Sequence, residues 1–148
     1  YGSLSELNAD DRELVEVAIS QLDNAYAPYS NFHVGAAARL NDRSIYKGSN
    51  QENASYPLCM CGERVALYNA AVYKPDQAIE SLAITIRNAQ MKIDKPVSPC
   101  GACRQVISEF EFRHKQHIRI LLKSDSPEIY ELKSIEDLLP LGFNASFL

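Results

Sequence analysis

Two short stretches, Cys61-Gly62-Glu63-Arg64 and Pro99-Cys100-Gly101-Ala102-Cys103, decide how the rest of the chain is interpreted. Cysteine thiolates are good zinc ligands, and a catalytic zinc site has three protein ligands and leaves its fourth position to water. The two stretches together supply three suitably spaced thiols. The sequence therefore predicts one zinc ion per chain, with Cys61, Cys100 and Cys103 as ligands.

Glu63 lies two residues after the first predicted ligand, at the start of a predicted helix. A carboxylate there can take a proton from water at the metal and deliver it to a substrate. An acidic residue is also favoured at a helix N-terminus for electrostatic reasons alone, but the three thiols favour the catalytic role. Three thiolates leave a negative charge on divalent zinc, and we expect Arg64 to offset it by hydrogen bonding to the ligand sulfurs. The alternative for Arg64 is an exposed helix arginine.

Cys59 permits a different interpretation, in which four cysteines form a closed structural zinc site without catalysis. The one-residue spacer between Cys59 and Cys61 is shorter than the usual spacer of about two to four residues, and Cys59 precedes the predicted helix. A redox pair formed by Cys100 and Cys103 is another alternative, but it leaves Cys61 and Glu63 without a role. We therefore favour the site with three cysteines.

The composition is that of an ordinary globular domain. The chain has 148 residues, of which 46% are hydrophobic and 23% charged, so we expect one domain over residues 1–148 with a buried core. A net charge of -4 argues against a nucleic-acid partner but not against a small neutral nucleoside. No apolar run approaches the roughly 20 residues of a membrane span, and no signal peptide is recognisable. Closely paired cysteines are typical of a reducing compartment, so we expect a cytosolic protein.

Hydrophobic periodicity divides the chain into alternating helices and strands. This order indicates an α/β fold in which helices cover both faces of one mixed sheet. The second helix is apolar on most sides, which predicts a buried helix. The first two strands, separated by a short polar turn, predict a β-hairpin. Helices are predicted at 10–25, 63–73, 100–110 and 134–139, and strands at 34–40, 44–48, 81–87, 118–122 and 127–132.

Several stretches resemble one known family. They are residues 29–37 (YSNFHVGAA), 50–57 (NQENASYP), 61–64 (CGER), 98–105 (SPCGACRQ) and 138–140 (LLP) with Phe143. Together they closely resemble the small tetrameric cytidine deaminases, from about Leu14 to the C-terminus. The resemblance is specific, because the loop at 50–57 accompanies the zinc motif, which other zinc deaminases share without that loop.

The resemblance implies hydrolytic deamination of cytidine and 2′-deoxycytidine to uridine and 2′-deoxyuridine with release of ammonia, as in pyrimidine salvage. It also implies a mixed five-stranded sheet between helices, and a homotetramer with active sites at subunit interfaces. It further assigns substrate contacts: Asn50 and Glu52 to the ribose 3′-hydroxyl, Phe32 to the nucleoside, Ala54 and Tyr56 to the sugar in a neighbouring subunit, and Phe143 to the base from another subunit. From the residues alone, a polar turn for the Asn/Glu pair and core packing for the two phenylalanines stay open.

The chain departs from the usual family pattern near the first zinc ligand. Gly62 stands where the family usually has alanine, and Cys59 follows Leu58 where the family usually has glycine. Neither change removes a predicted ligand or the acid/base. The alternative enzyme is a related deaminase of another nucleoside-like substrate, and the alternative from another class is a non-catalytic structural zinc module.

Overall fold

A mixed five-stranded sheet forms the middle layer of the molecule, whose computed structural model describes residues 1–148. The strands β3 and β4 are parallel, and every other neighbouring pair is antiparallel. The sheet order is β2-β1-β3-β4-β5, for β1 (Phe32–Leu40), β2 (Ile45–Ser49), β3 (Ile79–Asn88), β4 (Arg119–Lys123) and β5 (Ile129–Leu132). The predicted mixed sheet and the β1–β2 hairpin are both confirmed.

Three α-helices form the outer layers: α1 (Ala9–Ser20), α2 (Gly62–Tyr73) and α3 (Gly101–His114). Side chains alternate along each strand, so the sheet has two apolar faces. On one face Leu14 and Ala18 of α1 pack against Ala37 of β1. On the other, residues of α2 and α3 form a larger cluster with the remaining strand positions. This is the predicted three-layer α/β/α arrangement. No helix combines the length and the hydropathy that a membrane span requires.

Three predicted helices end differently from the sequence pattern, and one of them, predicted at 100–110, continues to His114 as α3. The first stops at Ser20 and continues as a 3-10 turn over Leu22–Asn24, because the backbone bonds there close over three residues rather than four. The predicted helix at 134–139 is a single 3-10 turn, Ile135–Asp137, whose Ser134 side chain accepts a hydrogen bond from the amide of Glu136. A serine cap at this position therefore begins a turn too short to become an α-helix.

The prediction that α2 is buried on nearly all sides is wrong. Tyr68, Val72 and Tyr73 are exposed, and Val72 retains 75% of its accessible surface. The cause is the position of the helix over β1 and the edge strand β2, which leaves its outward face uncovered. An apolar composition alone does not distinguish a buried helix from one with an uncovered apolar face.

The backbone of α2 lies directly against β2 at Gly48. A Cβ atom at Gly48 would lie 2.3 Å from the carbonyl oxygen of Gly62 and 2.4 Å from the amide nitrogen of Ala66. Both atoms belong to the first turns of α2, which cannot yield like a flexible side chain. The missing side chain at Gly48 therefore sets how closely the N-terminus of α2, with Cys61 and Glu63, approaches the sheet.

Replacing Gly48 with alanine should destabilise the protein by about 1–3 kcal/mol or more, because the helix backbone must move away from β2. The matched control is Gly101→Ala, since a Cβ there meets no atom within 4 Å. We expect the control to change stability by less than about 0.5 kcal/mol. Denaturant unfolding of both variants measures the difference, and equal stabilities would contradict the proposed backbone contact.

Candidate active site and metal centre

Two helix N-termini bring three cysteines together. Cys61 is the N-cap residue of α2 and Cys100 the N-cap residue of α3, and neither side chain makes a capping hydrogen bond. Cys103 follows one turn into α3 and is fully buried. The sulfur of Cys100 lies 3.9 Å from that of Cys61 and 3.4 Å from that of Cys103. All three sulfur atoms lie within 4.8 Å of one another.

This donor set fits zinc. Tetrahedral zinc with Zn–S bonds of about 2.3 Å places ligand sulfurs about 3.8 Å apart, close to the separations found here. Thiolates are also the soft ligands that zinc accepts, and the amide groups at a helix N-terminus stabilise the charged sulfur. The cluster of Cys61, Cys100 and Cys103 is thus able to hold the predicted metal ion.

Cys59 is not part of this cluster. Its sulfur instead accepts a hydrogen bond from the amide of Asn53 at 3.2 Å, within the loop that precedes α2. The closed site with four cysteines is therefore not formed. Three ligands leave room for water or substrate at a fourth position, as a catalytic zinc site requires.

Arg64 lies against the cluster as the sequence analysis expected. Its Nη2 donates a hydrogen bond to the sulfur of Cys61 at 3.5 Å, and this contact raises the pKa of the arginine. The pKa of Cys61 is lowered to about 5. The largest cause is a hydrogen bond from Cys103, and Arg64 lowers it further, whereas burial opposes both. The same bond to Cys61 raises the pKa of Cys103. These neighbours therefore favour the thiolate form of Cys61, which is the form that binds metal.

Glu63 lies in the first turn of α2 and retains only 4% of its accessible surface. Burial raises the pKa of its carboxyl group, against the opposing effects of the nearby Cys103 thiol and Arg64. A carboxyl group whose charged form is disfavoured by burial is suited to take up and release protons. The structure therefore places a candidate proton carrier next to the candidate metal centre.

A cavity of about 350 Å³ opens onto this centre, a size typical of sites for small molecules. Ile84 and Ile86 of β3 contribute apolar walls, and Val97, Ser98 and Pro99 contribute the wall that precedes α3. Six of the predicted site residues line the cavity: Phe32, Asn50, Glu52, Cys61, Glu63 and Cys100. Cys103 and Arg64 lie behind these residues rather than on the surface of the cavity.

Asn50 and Glu52 are fixed by contacts within the chain. Asn50 Oδ1 accepts a hydrogen bond from the amide of Val34 at 2.8 Å, and its Nδ2 donates to the carbonyl oxygen of Phe32 at 2.8 Å. The Glu52 carboxylate accepts hydrogen bonds from the amide of Tyr29 at 2.9 Å and from the amide and hydroxyl of Ser30. These bonds hold both side chains in one orientation at the cavity wall. Their contact with a substrate stays a prediction.

Three of the predicted substrate-binding residues do not line this cavity. Ala54 is exposed in the loop before α2. Tyr56 lies at an adjoining cleft of about 300 Å³ shared with Glu52, where its ring centroid is 5.8 Å from that of Tyr29. Phe143 is exposed in the C-terminal segment and stacks on Phe147. Their predicted role toward a neighbouring subunit stays a prediction.

The sequence analysis missed several residues of the site. Ser30 bonds both Glu52 and the amide of Phe32, and Arg104 bonds the loop that forms one cavity wall. The Ser30 hydroxyl, two residues after Pro28 in a turn, gave no specific signal. The sequence did contain a signal for Arg104. The helix dipole disfavours a cation in the first turn of a helix, so an arginine at this position indicates a specific interaction.

Comparison with known proteins supports the same centre. Residues 8–117, which contain all three cysteines of the cluster, match the family described as the cytidine and deoxycytidylate deaminase zinc-binding region. The chain belongs to this family. The cytidine deaminase of Halalkalibacterium halodurans is 38% identical over 136 residues, which cover 92% of this chain and 96% of that protein.

Solved structures of family members share the fold. A crystal structure of cytidine deaminase from Burkholderia pseudomallei superposes with a TM-score of 0.78 at 37% identity, covering 93% of this chain and all of that one. A crystal structure of cytidine deaminase from Mycobacterium tuberculosis gives a TM-score of 0.71 at 30% identity, with 93% of this chain and 99% of that one covered. The predicted cytidine deaminase-like fold is confirmed.

The departure from the family pattern at Gly62 has a structural counterpart. A Cβ atom there would lie 2.8 Å from the carbonyl oxygen of Val34 and 3.1 Å from its Cγ1. The first turn of α2 therefore packs against β1 without space for even a methyl group. An alanine at this position would require β1 and α2 to separate slightly.

Metal binding should distinguish the cluster from Cys59. Cys100→Ala should lower zinc well below one ion per chain, because it removes one of three ligands, whereas Cys59→Ala should retain one ion per chain. Zinc per chain, measured by plasma mass spectrometry on the two purified variants, checks both expectations. Zinc loss from the Cys59 variant would make that residue a ligand and contradict the assignment.

Proposed function

We propose that this protein is a zinc-dependent enzyme that hydrolyses the exocyclic amine of cytidine and 2′-deoxycytidine, giving uridine or 2′-deoxyuridine and ammonia. The observation that carries the proposal is the buried Glu63 carboxyl beside the cluster of Cys61, Cys100 and Cys103, at a cavity sized for a small molecule. Family membership and relatives named cytidine deaminase support the same reaction.

The proton transfers of this reaction fall to Glu63. Cys61, Cys100 and Cys103 would hold the zinc ion, which would supply activation of the attacking water as a nucleophile. Glu63 takes a proton from this water and delivers it to N3 of the ring, so that C4 becomes susceptible to attack. The water oxygen bonds to C4, Glu63 carries the proton of the resulting C4 hydroxyl to the amine, and the C–N bond breaks to release ammonia. The sum of these steps is cytidine plus water giving uridine plus ammonia.

Arg64 and the helix N-termini support this chemistry electrostatically. Three thiolates place excess negative charge around a divalent cation, which works against activating water. The Arg64 guanidinium bonded to the Cys61 sulfur withdraws part of that charge. The amide groups at the starts of α2 and α3 act in the same direction.

The cavity supports recognition of a nucleoside. Its walls combine apolar side chains, including Phe32 and Ile86, with the polar groups of Asn50 and Glu52. Apolar walls suit a pyrimidine ring, whereas an amide and a carboxylate suit sugar hydroxyls. We assign Asn50 and Glu52 to the ribose 3′-hydroxyl and Phe32 to the face of the nucleoside. The chain's net charge of -4 favours a neutral nucleoside over a polynucleotide.

We further propose a homotetramer in which Ala54, Tyr56 and Phe143 reach the substrate bound by a neighbouring subunit. The support is the exposure of Tyr56, Phe143 and the apolar face of α2 formed by Tyr68 and Val72, which together leave large apolar side chains uncovered. We place the protein in the cytosol, because its four free cysteines would be at risk of oxidation in a disulfide-forming compartment.

The first test follows the ultraviolet absorbance of purified protein mixed with cytidine and then with 2′-deoxycytidine, with zinc measured on the same sample. We expect conversion to the uracil nucleosides at one zinc per chain. Bound zinc without turnover of either nucleoside would contradict the proposed substrates and direct the search to another nucleoside-like compound.

The second test replaces the proposed proton carrier. Glu63→Gln should retain zinc while kcat falls by about 10²–10⁴-fold, because the amide cannot accept and release protons. The matched control is Glu109→Gln, an exposed position on α3 that contacts neither the cavity nor the cluster. Near-normal turnover by the Glu63 variant would contradict its assignment.

A further inference from the structure

We propose that Arg104 is a positioning residue for the substrate, which it serves by tying the cavity wall at 97–100 to the C-terminal segment that begins at Leu138. This inference rests on the proposed function, because the wall it holds belongs to the same cavity. Arg104 does not line the cavity itself, so it would act through the residues it holds.

The guanidinium of Arg104 bonds two separate segments at once. Its Nε donates to the carbonyl oxygen of Pro99 at 2.8 Å, and its Nη2 donates to the hydroxyl of Ser98 at 2.9 Å. Its Nη1 donates to the carbonyl oxygen of Leu138 at 3.1 Å. Planar guanidinium groups keep such bonds in fixed directions, whereas an ammonium group would not. The three bonds therefore fix both segments relative to α3.

The first of these segments is a wall of the cavity. Val97, Ser98, Pro99 and Cys100 all line it, and the last of them is a proposed zinc ligand. This segment follows an irregular stretch, 89–96, that contains no helix or strand. Without neighbouring strands to hold it, the wall depends on side-chain bonds, and Arg104 supplies two of them.

The second segment leads into the C-terminal tail. Leu138 follows the turn Ile135–Asp137, and five residues later the carbonyl oxygen of Phe143 accepts a hydrogen bond from Gln105 Nε2 at 2.8 Å. Adjacent residues of α3 therefore bond both the start of this segment and Phe143. Loosening the wall at Arg104 should also loosen the backbone at 138–143.

The position of Arg104 supports a specific role. It occupies the first turn of α3, where the helix dipole disfavours a positive charge. It is half-buried and forms no ion pair with any carboxylate of the chain. Its guanidinium donates instead to neutral oxygen acceptors of the backbone and of Ser98, as expected for a residue that links two segments.

The kinetic test compares Arg104→Ala and Arg104→Lys with Arg113→Ala. The control removes another arginine of α3 that donates to a backbone carbonyl, that of Pro75 at 2.9 Å, far along the helix from the site. For Arg104→Ala we expect the KM for cytidine to rise by about tenfold or more while kcat changes by less than about threefold. Arg104→Lys should fall in between, because an ammonium group replaces only part of the three bonds. Zinc should stay at one per chain in all three.

A second readout does not need turnover. Hydrogen exchange of the zinc-loaded proteins, followed by mass spectrometry, should show faster exchange at both 97–100 and 138–143 in Arg104→Ala, and no change at either segment in Arg113→Ala. If the unmodified protein does not deaminate cytidine, the proposed function fails and exchange alone decides the role of Arg104. An unchanged KM, unchanged exchange at either segment, or loss of fold or zinc in both Arg104 variants would overturn the proposal.

Discussion

The meeting of two helix N-termini at one end of the sheet is the constraint on which the site depends. Cys61 and Cys100 occupy equivalent N-cap positions of α2 and α3, so both thiols leave their helices at the end where free amide groups concentrate positive potential. The two sulfur atoms lie 3.9 Å apart only because the distance of each helix from the sheet is fixed. Gly48 sets this distance for α2. For α3 it is set by the crossover connection in which α3 links the parallel strands β3 and β4.

The electrostatics of the centre are balanced by few groups. Three sulfurs and one carboxyl would concentrate negative charge in a largely buried space, and Arg64 is the cation bonded to it. Burial counteracts the same excess by favouring the protonated form of Glu63. The group proposed to carry protons is thus one whose charged form is disfavoured by burial, which suits it to proton transfer.

Much of this arrangement could be predicted from local sequence. The cysteine spacing pointed to the three cysteines that the structure brings together and disfavoured Cys59, and the apolar runs gave the strands within two residues. What could not be predicted depended on contacts between distant segments. The exposed face of α2 follows from its place over an edge strand, and the bonds of Arg104 join residues 34 positions apart. Periodicity reports which residues are apolar, but it does not report which neighbour covers them.

The pairing of Cys61 with Cys100 also has a consequence for how long the protein survives. A cation held by these sulfurs would cross-link positions 39 residues apart and close a loop that includes α2 and β3. Binding energy for the metal then becomes folding energy, because an unfolded chain offers no such site. The lifetime of the protein would follow the supply of zinc, and chains made when zinc is scarce would open more often and be degraded first.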